Sequence, residues 1–223
     1  MNSLTLLIPA KFESESLPIF LEELKNFNYK KIVILDMSDT STLETIKKFC
    51  DVELLFQKKQ GYGNALVEGI NHVKTELFCI INADGSMNPN EIKGMLNLIE
   101  TNHKDIVFGS RYIKNAGSED DDIITFVGNY MFTSLGKIFF DLPISDILYT
   151  FLVGRTKKVQ DLNLKSGDFK FCIELPIKAK RNKLEISSYP CFERKRIAGK
   201  KKVNPIVDGF KILMGMIILF FNK

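Results

Sequence analysis

The sequence predicts an α/β protein with a mostly parallel central sheet covered by helices on both faces. Five short runs rich in apolar residues, at 4–8, 31–35, 52–56, 77–81 and 106–109, have strand length and are bounded by turn residues. Between them, apolar residues recur at helical spacing. The connections are short, so the order βαβαβαβαβ joins parallel neighbours through helical crossovers.

Leu17, Phe20, Leu21 and Leu24 mark the first helix, and Leu43, Ile46, Lys47 and Cys50 the second. Ser41 and Glu44 have the spacing of a capping box at the start of that second helix. The third carries Ala65, Leu66, Gly69 and Val73, and the fourth Ile92, Met95, Leu96 and Ile99. Ahead of the fourth, Asn88 suits an N-cap, Pro89 the first helical position, and Glu91 the returning bond of a capping box. After Arg111 the alternation stops. A polar, acidic loop at 115–122 precedes a helical pattern of Phe126, Val127, Tyr130, Met131, Leu135, Ile138 and Phe139, facing either core or membrane. A strand at 147–153, a helix at 171–180 interrupted at Pro176, and a strand at 185–191 follow.

The end of the chain differs. Every residue from Ile212 to Phe221 is apolar or glycine, and Ile206, Val207, Phe210, Leu213, Met214, Ile217, Ile218 and Phe221 fit one helical face. A bilayer span needs about 20 apolar residues, so this run is too short to cross, but it suits a helix lying in the interface. Docking on the core, or contact with a second copy in a homo-oligomer, would use the same face. We divide the chain into a domain at 1–205 and a C-terminal apolar helix at 206–223.

Bulk composition fits one globular domain: 223 residues, 45% hydrophobic, 26% charged. Cys50, Cys79, Cys172 and Cys191 show no CxxC spacing, which argues against a zinc site or a secreted disulfide framework. His72 and His103 are the only histidines. The N-terminus enters a strand pattern directly, without the features of a signal peptide, and a cytoplasmic setting is expected. The net charge of +4 is unevenly spread. Ten basic and two acidic residues lie between Lys178 and Lys202, a local +8, and the rest of the chain is net −4. Such a segment beside an apolar helix suits an anionic membrane surface. It lacks the interleaved aromatics of a single-strand nucleic-acid binder, so no nucleic-acid partner is expected.

The most pointed motif is Asn82-Ala83-Asp84-Gly85-Ser86, where a buried strand ends in an acidic turn. In open α/β sheets, ligands bind at the carboxyl ends of the strands. Asn82 and Asp84 can face one hard cation, with phosphates and waters completing its shell. The first strand closes with Pro9, Ala10 and Glu13, the second with Asp36, and the fifth with Arg111, all on the same rim. Gly61 and Gly63 open the third helix, where backbone amides can approach an anion or sugar. They follow the third strand rather than the first, and Leu66 takes the last glycine position, so a dinucleotide fingerprint is a poor description.

PAKFE at 9–13, LDMSD at 35–39, GYGNAL at 61–66, NADGS at 82–86 and GSRY at 109–112 occur in one order over nearly the whole chain. Asn129, Asp146, Phe151, Glu174, Tyr189-Pro190 and the RIAGKKK stretch at 196–202 continue it. The set resembles family 2 glycosyltransferases of the GT-A fold, particularly dolichyl-phosphate mannose synthases and bacterial polyprenyl-phosphate glycosyltransferases.

The resemblance implies an inverting transfer from a nucleotide diphosphate sugar to a polyprenyl phosphate, at the cytoplasmic membrane face, by a peripherally associated enzyme. Pro9, Ala10, Glu13, Asp36, Gly61, Gly63, Asn82 and Ala83 would form the nucleotide-sugar site. Asp84, with Asn82 and Ser86, would hold Mg2+ or Mn2+. Asp84, Arg111 and Arg196 would carry catalysis, and Arg111, Arg196 and Lys202 would meet acceptor and donor phosphates. The chain departs from the pattern at several places. Asn82 replaces the first acidic residue, Ser86 a frequent glutamine, Met37 an aspartate, and Lys11-Phe12 a Tyr-Asn pair. Asp121 stands where these synthases carry an arginine for the acceptor phosphate, and Lys201 where they carry a serine. Transfer to a soluble or protein-bound acceptor, or nucleotide-sugar or lipid binding without turnover, are the alternative expectations.

Overall fold

The computed structural model describes residues 3–222. Its first half alternates as expected: β1 (Leu4–Pro9), α1 (Leu17–Leu24), β2 (Lys30–Leu35), α2 (Thr40–Ile46), β3 (Val52–Phe56), α3 (Tyr62–His72), β4 (Leu77–Ile80), a 3-10 turn (Pro89–Glu91), α4 (Ile92–Thr101) and β5 (Ile106–Ser110). The second half adds β6 (Gly117–Ser118), α5 (Ile123–Phe140), β7 (Leu152–Arg155), α6 (Thr156–Gln160), α7 (Phe171–Arg181), β8 (Ile186–Pro190), β9 (Phe192–Glu193) and α8 (Pro205–Phe221).

Seven strands form the main sheet in the order β3-β2-β1-β4-β7-β5-β8. All pairings are parallel except those of β7, which runs antiparallel between β4 and β5, with Cys79 and Val107 both opposite Val153. β1 shows how the two layers arise: Leu4, Leu6 and Ile8 face a core with α1, α2 and α4, while Leu7 faces a second core with α3, α5, α7 and α8. A period of two in a doubly covered strand buries every side chain.

Three local expectations are corrected. Asp39, not Ser41, caps α2: its Oδ1 accepts from the Thr42 N–H at 3.2 Å, and Glu44 pairs with Lys47 instead. Asn88 does cap the 3-10 turn, but Glu91 accepts from the Phe192 N–H at 2.7 Å rather than closing a capping box. α7 runs through Pro176 without interruption. Phe171, Ile173, Leu175, Ile177 and Ala179 are all buried, and this packing outweighs the one hydrogen bond that proline removes.

The C-terminal helix packs on the rest of the chain. Asn204 caps α8 by accepting from the Ile206 and Val207 N–H groups, Pro205 takes the first turn, and Asp208 returns a bond to the Asn204 N–H at 2.8 Å. Ile212, Gly215 and Met216 then pack against α5 and α7. Of the face singled out in the sequence, only Leu213 packs against the core. Ile206, Val207, Phe210, Met214, Ile217, Ile218 and Phe221 are exposed.

Candidate active site

The carboxyl ends of β1, β2 and β4 lie side by side, and the loops that leave them line one cavity of about 790 Å3. Of the residues expected at the site, Pro9, Ala10, Glu13, Asp36, Gly61, Asn82, Ala83, Asp84, Arg111, Arg196 and Lys202 line it; Gly63 and Ser86 do not.

Glu13 is held by its neighbours on α2. Asp39 Oδ2 accepts from the Phe12 N–H at 2.6 Å, and Thr42 Oγ1 accepts from the Glu13 N–H at 2.9 Å. These bonds keep Phe12 at a φ of 54°, in the left-handed region that a bulky residue rarely adopts. Burial works against the Asp39 charge, but the N–H groups of Phe12 and Thr42 and the Ser41 and Thr42 hydroxyls outweigh it and hold the carboxyl below its ordinary range. Glu13 Oε2 takes the Ser16 hydroxyl, and Oε1 takes Lys202 Nζ at 2.6 Å. Asp36 sits at the open end, its carboxylate stabilised by the hydroxyl and N–H of Ser38.

Asp84 is buried. Its Oδ1 accepts from the N–H and hydroxyl of Ser86, at 3.0 and 2.8 Å, and Oδ2 lies 3.5 Å from Arg196 Nη1. Ser86 is therefore the brace of Asp84 rather than a wall of the cavity. Asn82 Oδ1 accepts from the Tyr62 hydroxyl at 3.1 Å, and that hydroxyl shares a 2.6 Å bond with Thr150. The segment after β9 is strapped over this turn: the N–H groups of Arg194 and Ile197 donate to the carbonyls of Ser86 and Asp84, at 2.8 and 2.9 Å. Arg196 then reaches Asp120, with Nη2 2.8 Å from Oδ2. Burial opposes its charge, and the Asp120 and Asp84 carboxylates more than offset this.

Arg111 has a different setting from the expected open phosphate contact. Its Nε and Nη2 donate to Asp146, at 2.8 and 3.1 Å, and Nη1 donates to Glu193 at 3.1 Å. The guanidinium lies between the rings of Tyr149 and Tyr112, 4.6 and 5.1 Å from their centroids. Asn129 on α5 secures Asp146 by a 2.5 Å bond. Arg111 is thus the centre of a buried ionic cluster that joins β5, α5 and β9.

The glycines of α3 serve a backbone contact. A Cβ on Gly61 would stand 2.2 Å from the Gly167 carbonyl oxygen, and one on Gly63 2.1 Å from that of Ser166. The Asn64 N–H donates to the Gly167 carbonyl at 3.1 Å. Glu174 in turn accepts from the N–H groups of Lys165 and Ser166, at 3.0 and 2.7 Å, which fixes the 165–168 loop. On the side where a Cβ would stand, these glycines meet the protein's own chain, while Gly61 also borders the cavity.

Tyr62, Thr150, Asp120 and Asp168 also line the cavity and were not named as site residues from the sequence, and Lys201, noted there only as a departure from the family pattern, lines it too. Asp120 lies within the acidic loop and Tyr62 within the GYGNAL motif that the sequence marks; Thr150 and Asp168 have no local signal. Beyond the polar rim the wall turns apolar between α5 and α8, with Ile124, Met131, Phe132, Ile206, Phe210 and Leu213. No cluster of three or more His, Cys, Asp or Glu side chains suited to a metal occurs among the described residues. The donor set still fits a phosphate-bound hard cation, because Asp84 Oδ2 has only a loose ionic contact and Asn82 stands beside it.

Comparison with known proteins identifies the family and the fold. Residues 5–162 match the model of glycosyl transferase family 2. The dolichol-phosphate mannosyltransferase of Pyrococcus furiosus is 26% identical over 81% of this chain and 54% of that protein. The UDP-N-acetylglucosamine–dolichyl-phosphate N-acetylglucosaminyltransferase of Methanococcus voltae is 22% identical over 98% and 96%. Among solved structures, glucosyl-3-phosphoglycerate synthase from Mycobacterium tuberculosis, in complex with Mn2+, UDP and glucosyl-3-phosphoglycerate, superposes with a TM-score of 0.76 at 11% identity, over 98% of this chain and 80% of that one. The acidic rim at the strand ends and the match across most of the chain lead to one assignment: the protein belongs to glycosyl transferase family 2 and has the GT-A fold.

Proposed function

We propose that this protein transfers a sugar from a nucleotide diphosphate donor to an acceptor borne on a polyprenyl-type lipid, with inversion, at a membrane surface. The observation that carries this reading is the continuity of the cavity. It runs from Glu13, Asp36 and Asp84 at the sheet edge into the apolar cleft between α5 and α8, whose outer faces are exposed. Dolichyl phosphate in the names of two relatives supports the lipid.

Glu13 and Asp36 hold the nucleoside through their carboxylates. Asp84, with Asn82 beside it, would hold a divalent cation, which would supply Lewis-acid chemistry for the departing diphosphate. Arg196 and Lys202 exchange their present carboxylate partners for phosphate oxygens, placing positive charge where the leaving group develops its own. Arg111 acts by positioning, since its donors already serve Asp146 and Glu193.

Membrane attachment is peripheral in this reading. Ile123, Phe126, Val127 and Tyr130 of α5 and Ile206 and Phe210 of α8 form an exposed apolar surface, with Lys200 and Lys211 exposed nearby in the chain. Apolar burial and attraction to anionic headgroups would then add. Among the described residues, α5 is the one helix long and apolar enough to cross a bilayer, but Asn129, Phe132, Thr133 and Gly136 bury one side of it in the protein.

A panel of UDP, GDP and their sugars with Mn2+ or Mg2+ tests the donor half. A ligand at about 100 times its dissociation constant adds roughly 2.7 kcal/mol, visible as a thermal shift. Flotation with anionic vesicles tests the membrane half. Absence of both donor stabilisation and nucleoside diphosphate release under every combination would refute the transferase reading.

A further inference from the structure

On the reading of the cavity as a glycosyltransferase site, we infer that Tyr62 is a positioning residue. It locks the Asn82 amide so that Asn82 gives an N–H to the donor's diphosphate and does not ligate the cation. Three polar side chains from separate parts of the chain meet here: Asn82 follows β4, Tyr62 opens α3 and Thr150 precedes β7. Asn82 Oδ1 accepts from the Tyr62 hydroxyl at 3.1 Å, and the Tyr62 and Thr150 hydroxyls lie 2.6 Å apart.

Each hydroxyl has one proton to give. Thr150 Oγ1 has no other partner among the described residues, so its proton goes to the Tyr62 oxygen, and that of Tyr62 goes to Asn82. Turning the amide over would make Tyr62 donate to Thr150, and would leave the Thr150 proton without an acceptor on a buried side chain. The Tyr62 ring is held by stacking on Phe169, with centroids 5.2 Å apart. Burial pushes its phenol above the ordinary range, so the hydroxyl keeps its proton.

With Oδ1 turned to Tyr62, the amide nitrogen is left for the cavity. Asn82 lines it, and Nδ2 has no hydrogen-bond partner among the described residues. An amide N–H only donates and cannot ligate a cation. Ser86 is withdrawn as well, since its N–H and hydroxyl both serve Asp84 Oδ1. Of these three side chains, Asp84 Oδ2 is then the oxygen open to a hard cation, which can take one carboxylate and complete its shell with phosphate and water. Asn82 stands two residues from Asp84 at the same strand end, so its N–H meets an oxygen of the diphosphate that the cation bridges. A carboxylate at position 82 would repel that oxygen. The change from the family's acidic residue thus exchanges a cation ligand for a phosphate donor.

The test uses the full chain with UDP and GDP, each free and as its sugar nucleotide. Nucleotide affinity is read by calorimetric titration at saturating Mn2+, and Mn2+ affinity by electron paramagnetic resonance of the free ion at saturating nucleotide. Asn82→Ala should raise the dissociation constant of the free diphosphate by about 10-fold, the loss of one hydrogen bond to a charged group, and leave that of Mn2+ within about 2-fold. Tyr62→Phe should lose the same nucleotide affinity, and the double variant no more than either alone, because the two side chains act through one contact. A tyrosine with only a structural role would add its effect to that of Asn82→Ala. Mn2+ binding weakened by about 10-fold or more in Asn82→Ala overturns the inference while the transferase reading stands. Unchanged nucleotide affinity in Tyr62→Phe, additive losses, or a loss seen with the sugar nucleotide but not with the free diphosphate, do the same. Absence of nucleotide binding by the wild-type protein overturns both.

Discussion

Arg196 Nη1 lies 3.5 Å from Asp84 Oδ2, an ionic contact too long for a hydrogen bond, while Nη2 of the same guanidinium is hydrogen-bonded to Asp120. The residue on which metal binding is proposed to depend is therefore neutralised by a loosely held cation from the far end of the chain. Asp84→Ala should abolish turnover and leave the fold intact, as read by product release and by circular dichroism. Arg196→Ala should lower the turnover number by about 10²–10³-fold, the usual loss of one charge-stabilising donor. A fully active Asp84→Ala protein would remove the metal assignment.

The Arg111 cluster predicts a stability effect. Breaking a buried ion pair by removing one partner costs about 3–5 kcal/mol, because the other charge stays buried. Asp146→Asn should lower the unfolding free energy by that order, read as a lower midpoint of urea unfolding. An unchanged midpoint would show that Arg111 finds sufficient partners in Glu193 and Asp121.

Gly63 has no room for a side chain beside the Ser166 carbonyl. Gly63→Ala should destabilise by about 1–3 kcal/mol through overpacking. It should also weaken donor binding, because the N-terminus of α3 shares the cavity wall through Gly61 and Tyr62. Differential scanning calorimetry and donor titration measure the two effects separately.

Asp39 gives a pH prediction. Its carboxyl is held below the ordinary range in the folded protein, so it contributes stability above its unfolded pKa. That contribution is lost as pH falls through the depressed folded value. Asp39→Asn should lower stability at neutral pH and flatten the acid limb of a stability profile measured by urea midpoints. The loss of the α2 cap alone is worth about 1 kcal/mol.

At the membrane, Ile206 and Phe210 are 83% and 66% exposed, so Ile206→Glu with Phe210→Glu should leave the melting temperature within a few degrees of wild type. Binding to anionic vesicles should fall by at least about 10-fold, given roughly 1.5–3 kcal/mol for each large apolar side chain buried. Equal flotation of the double variant would exclude this face as the membrane contact.

The parallel half of the fold was legible because buried strands and amphipathic helices alternate with short connections, and a parallel sheet brings its acidic turns to one edge. Glu13, Asp36 and Asp84 were found on that basis. What escaped detection depends on contacts between distant segments. An apolar run does not encode direction, so the antiparallel insertion of β7 could not be read from Leu152 and Val153. Gly61 and Gly63 signal close approach, but their partner is a loop about 100 residues away. Arg111 advertises a cation without showing that Asp146 and Glu193 surround it. In α8 both sides are apolar, and periodicity alone could not tell which one faces the core.

Gly215 of α8 packs against Lys170 and Ile173 at the start of α7, directly after the loop that meets Gly61 and Gly63 on α3. The helix proposed to touch lipid and the helix proposed to open the donor site thus both rest on one short stretch of chain, residues 166–173. That shared support makes the protein a candidate for interfacial activation, in which adsorption is felt at the nucleotide end. The signature would be a donor affinity that changes on adding vesicles in the absence of any acceptor.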